Sequence, residues 1–152
     1  MIQRIQTIWL LLAAVTISCL LFIPMVTATA GSIEYHVLST GLYQETANVT
    51  KQIEANLPLM ITTIVVAIFS IIIIFNFKNR TNQKRLIMLN VVFIIGLSFW
   101  CSQYAKKIPG GLDTANFNIG MFLPVIAIFF CVLAMRGINN DEKLIRSADR
   151  LR

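Results

Sequence analysis

A chain of 152 residues that is 57% hydrophobic and 13% charged, with a mean hydropathy of +0.74, stands apart from soluble domains, which carry about 25% charged residues. So few charges cannot keep the surface of one water-soluble domain wet, and the composition points to the lipid bilayer as solvent. The formal net charge of +6 lies between apolar runs rather than in one patch, which fits the positive-inside rule and excludes a nucleic-acid footprint.

The first expected element is a membrane span over about 7–27. Its heart, Ile8–Val26, carries no charge, Arg4 precedes it, and a spanning helix needs ~20 residues. Ala28-Thr29-Ala30 before Gly31 also looks like a signal-peptidase site. The apolar core exceeds the ~7–15 residues usual in cleaved signals, so a retained span is expected, with cleavage after Ala30 left open. Pro24 is expected to kink its end.

Residues 31–56 form the larger polar connection. Ile33, Tyr35 and Val37 alternate with Glu34 and His36, a weak strand signal. Ser39-Thr40-Gly41 reads as a turn, and from about Tyr43 the residues Ala47, Ile53 and Leu57 suggest a helix leading into the second span. His36 with Glu34 is the one hint of a metal site. Zinc takes three or four ligands, so His36 is expected to be a surface loop histidine and no metal or other cofactor is expected.

The second span is expected over 57–77, with Pro58 in its first turn. The loop 78–85, KNRTNQKR, holds four positive charges and no negative ones. A third span over 86–104 contains Asn90, Gly96, Ser98 and Gln103. Asn90 and Ser98 are the expected interhelical polar contacts, and Gly96 lets a helix approach closely. Trp100 and Tyr104 suit an interfacial aromatic belt. A connection over 105–117 leads to a fourth span over about 118–135, with Gly137 as its expected stop.

The tail, 136–152, is expected to be a separate amphipathic helix capped by Asn140 and braced by a Glu142–Arg146 pair. Leu144, Ile145, Ala148 and Leu151 fall on one face, with Arg146, Arg150 and Arg152 adding charge. This is the candidate docking element, for anionic lipid or for a protein partner. With the amino terminus inside, ten of the thirteen Lys and Arg residues are cytoplasmic. The expected fold is therefore an all-α membrane protein, a four-transmembrane-helix up-down bundle with both termini in the cytoplasm of a bacterial inner membrane.

No charged residue falls within an expected span, which argues against a proton-coupled transporter. The three cysteines show no CxxC spacing and read as packing residues. No nucleotide loop, HExxH or nucleophile set can be placed, so no enzyme is expected. The expected role is a non-enzymatic subunit or scaffold. The alternative is a small oligomeric transporter or channel with a path lined by Asn90, Ser98 and Gln103.

The opening MIQRIQTIWLLLAA and the tail DEKLIRSADRLR resemble the two ends of a family of uncharacterised small four-span inner-membrane proteins of Bacteroidota. That resemblance implies no catalytic residue. Both matched ends fall on the cytoplasmic side of the topology expected from the charge count, where they are expected to pack near each other or on a common partner.

Overall fold

The structure is a computed structural model that describes residues 3–30, 33–46, 49–77, 79–108 and 115–149. It is an α+β fold, not the all-α bundle expected. Among the described residues, four helices, α1 (Gln3–Cys19), α2 (Leu57–Phe75), α3 (Arg80–Ala105) and α4 (Leu123–Asp149), accompany a five-stranded antiparallel sheet. The strands are β1 (Val26–Ala30), β2 (Ile33–Leu38), β3 (Gly41–Thr46), β4 (Val49–Ala55) and β5 (Ala115–Phe117), in the spatial order β4-β3-β2-β1-β5.

The expected span over 7–27 is divided between a helix and a strand. After Cys19 the chain tightens into a turn, with the Leu20, Leu21 and Phe22 amides bonded three residues back. Pro24 offers no amide and biases Ile23 away from helix. The residues that follow, Val26-Thr27-Ala28-Thr29-Ala30, alternate in size and are partly β-branched, and they form β1. Hydropathy registers one greasy run; the proline splits it.

The helix expected from Tyr43 onward is instead the hairpin β3–β4. Its pattern rested on three widely spaced apolar residues, and ladder pairing to β2 outweighs so weak a periodicity. The turn at Ser39-Thr40 stands as expected. Gly41 follows with φ +152°, and a Cβ there would run into the backbone of β4 at Glu54, so only glycine fits. The basic segment 78–85 is not a loop either: α3 begins at Arg80, with Asn79 accepting a hydrogen bond from the Asn82 amide (3.2 Å). Arg, Lys and Gln are good helix formers, and charge says nothing against helix.

Among the described residues, three helical segments are long and apolar enough to span a membrane: Leu57–Phe75, Arg80–Ala105 and Ile119–Leu144, the last including a 3-10 turn at Ile119–Phe122. Only 28–33% of each of their apolar windows is buried. The outward residues, such as Ile61, Val65 and Ile68 on α2 and Val92, Phe93 and Phe99 on α3, make a belt far larger than a soluble monomer exposes. The shorter α1 is apolar from Ile5 to Cys19.

α1 packs against α2 and α4, and α3 closes the set against the same two helices. The buried faces of α1 (Leu10, Ala13, Ala14, Ile17) and α4 (Ala127, Cys131, Ala134, Ile138) are rich in small residues, which lets helices approach closely. Trp9 stacks on Phe130 at 5.8 Å. The sheet sits where α1 and α3 end and α2 and α4 begin. Its inner residues Val26, Ala28, Val37 and Leu42 join one core with Leu20, Tyr104, Ala105 and Ile108.

Candidate functional site

Residues opposite each other on an antiparallel ladder project to the same side. The register therefore builds two rows on the outer side of the sheet. One runs Asn116, Thr27, His36, Tyr43, Gln52, and the next runs Thr29, Glu34, Glu45, Thr50. His36 is not a loop histidine: it lies in β2, with Glu34 two residues before it and Glu45 diagonally across on β3. Its Nε2 stands 3.1 Å from Glu45 Oε2 and 3.8 Å from Glu34 Oε2. His36 is the most shielded of the three, at 22% exposed. Its Nδ1 is covered and has no hydrogen-bond partner. These three residues could hold a metal ion. His36 and Tyr43 also line a cavity of about 400 Å³ against Leu21, Phe22 and Pro24 at the end of α1.

The sequence offered Glu34 and His36 but not Glu45, because a partner nine residues away is found only once a hairpin is assumed. The alternation in β2 and the turn at Ser39-Thr40-Gly41 were the available signal; the helix expected from Tyr43 obscured it.

Within the helices, Asn90 is fully buried and its amide donates to Ser70 Oγ on α2 (2.9 Å) and toward Cys131 Sγ on α4 (3.7 Å). Ser98 donates instead to its own helix at Ile95 O (2.8 Å). Gln103 is exposed and accepts from Lys106 (3.3 Å). The structure thus brings Asn90 and Ser70 together but leaves Ser98 and Gln103 elsewhere. Gly96 has open space before it and lines an apolar groove of about 540 Å³ between α2 and α3, with Val65, Val66 and Trp100. All three cysteines are free thiols.

At the end away from the sheet, the tail is not a separate helix. α4 runs unbroken through Gly137 and Asn140 to Asp149. Gly137 marks a close approach instead of a stop: a Cβ there would stand 3.0 Å from Gln6 Cγ on α1. Asp141 is buried and accepts a hydrogen bond from the Gln6 amide. Lys84 of α3 pairs with Glu142 at 2.8 Å and reaches Asn139 at 3.4 Å. The two ends that carried the family resemblance therefore meet. Leu144 is 57% exposed. The side chains of Ile145, Arg146 and Ala148, and with them the expected Glu142–Arg146 pair, lie outside the described residues, as do Arg150, Leu151 and Arg152.

No curated protein matches this chain. One family does, over nearly its whole length: residues 2–151 match the domain of unknown function DUF4293, and the chain belongs to that family.

Proposed function

We propose that this chain is a non-enzymatic integral protein of a bacterial inner membrane, a scaffold or subunit that docks a protein partner through the free end of α4. The observation that carries this reading is the unbroken length of α4. Its 27 residues extend ~40 Å at 1.5 Å each, against a hydrocarbon core of ~30 Å. α3, with 26 residues, is nearly as long. The surplus of both helices lies at the end away from the sheet, where Lys84 and Glu142 tie them together.

Continuity separates the two roles open to the tail. An amphipathic helix binds a lipid surface by lying in the plane of the interface. α4 continues from its apolar segment without a break, so its last turns project instead, and projection favours a protein partner. Leu144 supplies exposed apolar surface there, and Lys143, Arg146, Arg150 and Arg152 suit an acidic partner. The positive-inside bias and the resemblance to inner-membrane proteins of Bacteroidota support both termini in the cytoplasm, with the sheet on the opposite side.

The test uses tag-free full-length chain, a chain ending at Lys143, and Leu144→Glu, each isolated from native membranes in mild detergent. Ending at Lys143 leaves Asp141 and Glu142 in place. The expected result is a stoichiometric partner held by the full chain and lost from both variants. Recovery of the same partner with all three proteins, or of the chain alone in every case, would overturn the proposal.

A further inference from the structure

We propose that Glu34, His36 and Glu45 form a binding site for a divalent transition-metal cation of the zinc class on the outer side of the sheet. Two observations independent of each other converge on it. The first is geometric. The three ligand atoms lie within 4.8 Å of one another, with Nε2 at 3.1 and 3.8 Å from the two carboxylate oxygens. Bonds of ~2.0–2.2 Å to zinc place neighbouring ligand atoms ~3–3.5 Å apart in a tetrahedral site, so side-chain adjustments of under an ångström close the set. The residues sit on two hydrogen-bonded strands, not on a loop, which fixes their spacing.

The second observation is electrostatic. The register sets Glu34 directly opposite Glu45, and like charges directly opposed on a sheet are destabilising. Among the described residues of the strands, no lysine or arginine shares that side of the sheet. Lys51 pairs with Gln44, one step out of the rows, and so projects to the other side. Lys107 is committed to Glu54. The side chain that stands nearest both carboxylates is the His36 imidazole, 3.8 Å from Glu34 and 3.1 Å from Glu45. A bound dication supplies positive charge between the two opposed carboxylates.

The donor set selects the class of ion. One imidazole with two carboxylates suits zinc and its first-row neighbours, whereas calcium and magnesium prefer all-oxygen sites. Three protein ligands leave one position for water or for an anionic group. This inference does not depend on the docking role of α4, which lies at the other end of the helices.

The chain contains a single histidine, which makes the test direct. Tag-free full-length protein in nanodiscs is titrated with Zn²⁺ by calorimetry, and X-ray absorption is recorded on the loaded protein. The expected result is one Zn²⁺ per chain with one imidazole and oxygen ligands and no sulfur. His36→Ala, Glu34→Gln and Glu45→Gln should each weaken binding at least about tenfold. Melting adds a sign test with a readout separate from the titration. Glu34→Gln should melt at or above the wild type in EDTA, where it relieves the opposed charges, and below it in saturating Zn²⁺. Absence of binding, sulfur ligation, or unchanged affinity in the three variants would overturn the proposal. So would a Glu34→Gln melting shift that is the same with and without Zn²⁺.

Discussion

The two ends of the helix assembly are closed by different means. At the sheet end the closure is largely backbone: Met25 N to Val37 O (2.8 Å), Asn118 N to Met25 O (3.0 Å) and Asn56 N to Thr40 O (3.0 Å), with five strands bonded behind them. At the other end it is made by side chains. Gln6 meets Asp141, Lys84 meets Glu142, and Gln83 donates to Ile73 O at 3.3 Å. Backbone bonds survive most substitutions, whereas a side-chain closure is lost with one residue. The sheet end should therefore tolerate change almost everywhere except where the backbone itself needs glycine. The opposite end should be sensitive residue by residue.

The largest expected effect is at Gln6. Gln6→Leu leaves the buried Asp141 carboxylate without its donor, and hydrogen bonds to charged groups are worth about 1.5–3 kcal/mol. Reversible unfolding in detergent should show a loss in that range, and a smaller one for Asp141→Asn, whose amide oxygen still accepts. A neutral Gln6→Leu would mean that this end is closed by packing alone, and the contrast between the ends would collapse.

Gly41→Ala should cost about 1–3 kcal/mol, because alanine meets both an unfavourable backbone conformation and the β4 main chain. Its signature is local. Amide exchange should accelerate in β3 and β4 while the helices stay protected. Uniform loss of protection would show that sheet and helices unfold as one unit.

Asn90→Leu probes the middle, between the two ends. Interhelical hydrogen bonds in membrane proteins average about 0.6 kcal/mol and reach about 1.7. A loss within that range is expected, shared with Ser70→Ala because one bond joins the two residues. A double-mutant cycle should return most of the single-mutant cost as coupling, and additive losses would deny that the bond matters.

The smallest effect belongs to Lys84→Ala. Its pair with Glu142 is about three-quarters shielded on both sides, and such pairs contribute about 0–1 kcal/mol. The loss should shrink as salt is raised from about 0.01 to 1 M. A salt-independent loss would assign the effect to the lysine's stem rather than its charge.

Much of the helical layout was legible in the sequence. The uncharged run from Leu57 marks α2 to within two residues of its end, because nothing in 57–75 offers an alternative to helix. The apolar run within α3 was equally plain, but its basic first turns were not. The sites were less legible. Asn90 could be named as a polar contact, yet its partners Ser70 and Cys131 come from two other helices. His36 and Glu34 could be named, yet Glu45 joins them only through a hairpin.

Composition and charge pattern by themselves determined that this chain carries helices suited to lipid, and where their apolar centres lie. These are sums over neighbouring residues, and they need no knowledge of what touches what. The tertiary structure alone decided the rest: that the end of the first apolar run enters an inner strand of a sheet, that Gly137 serves a close approach of α1 rather than a helix stop, and that two opposed glutamates share one histidine. Each depends on which segment lies alongside, and ladder register and helix contact are set by partners distant in the chain, where local periodicity carries no information.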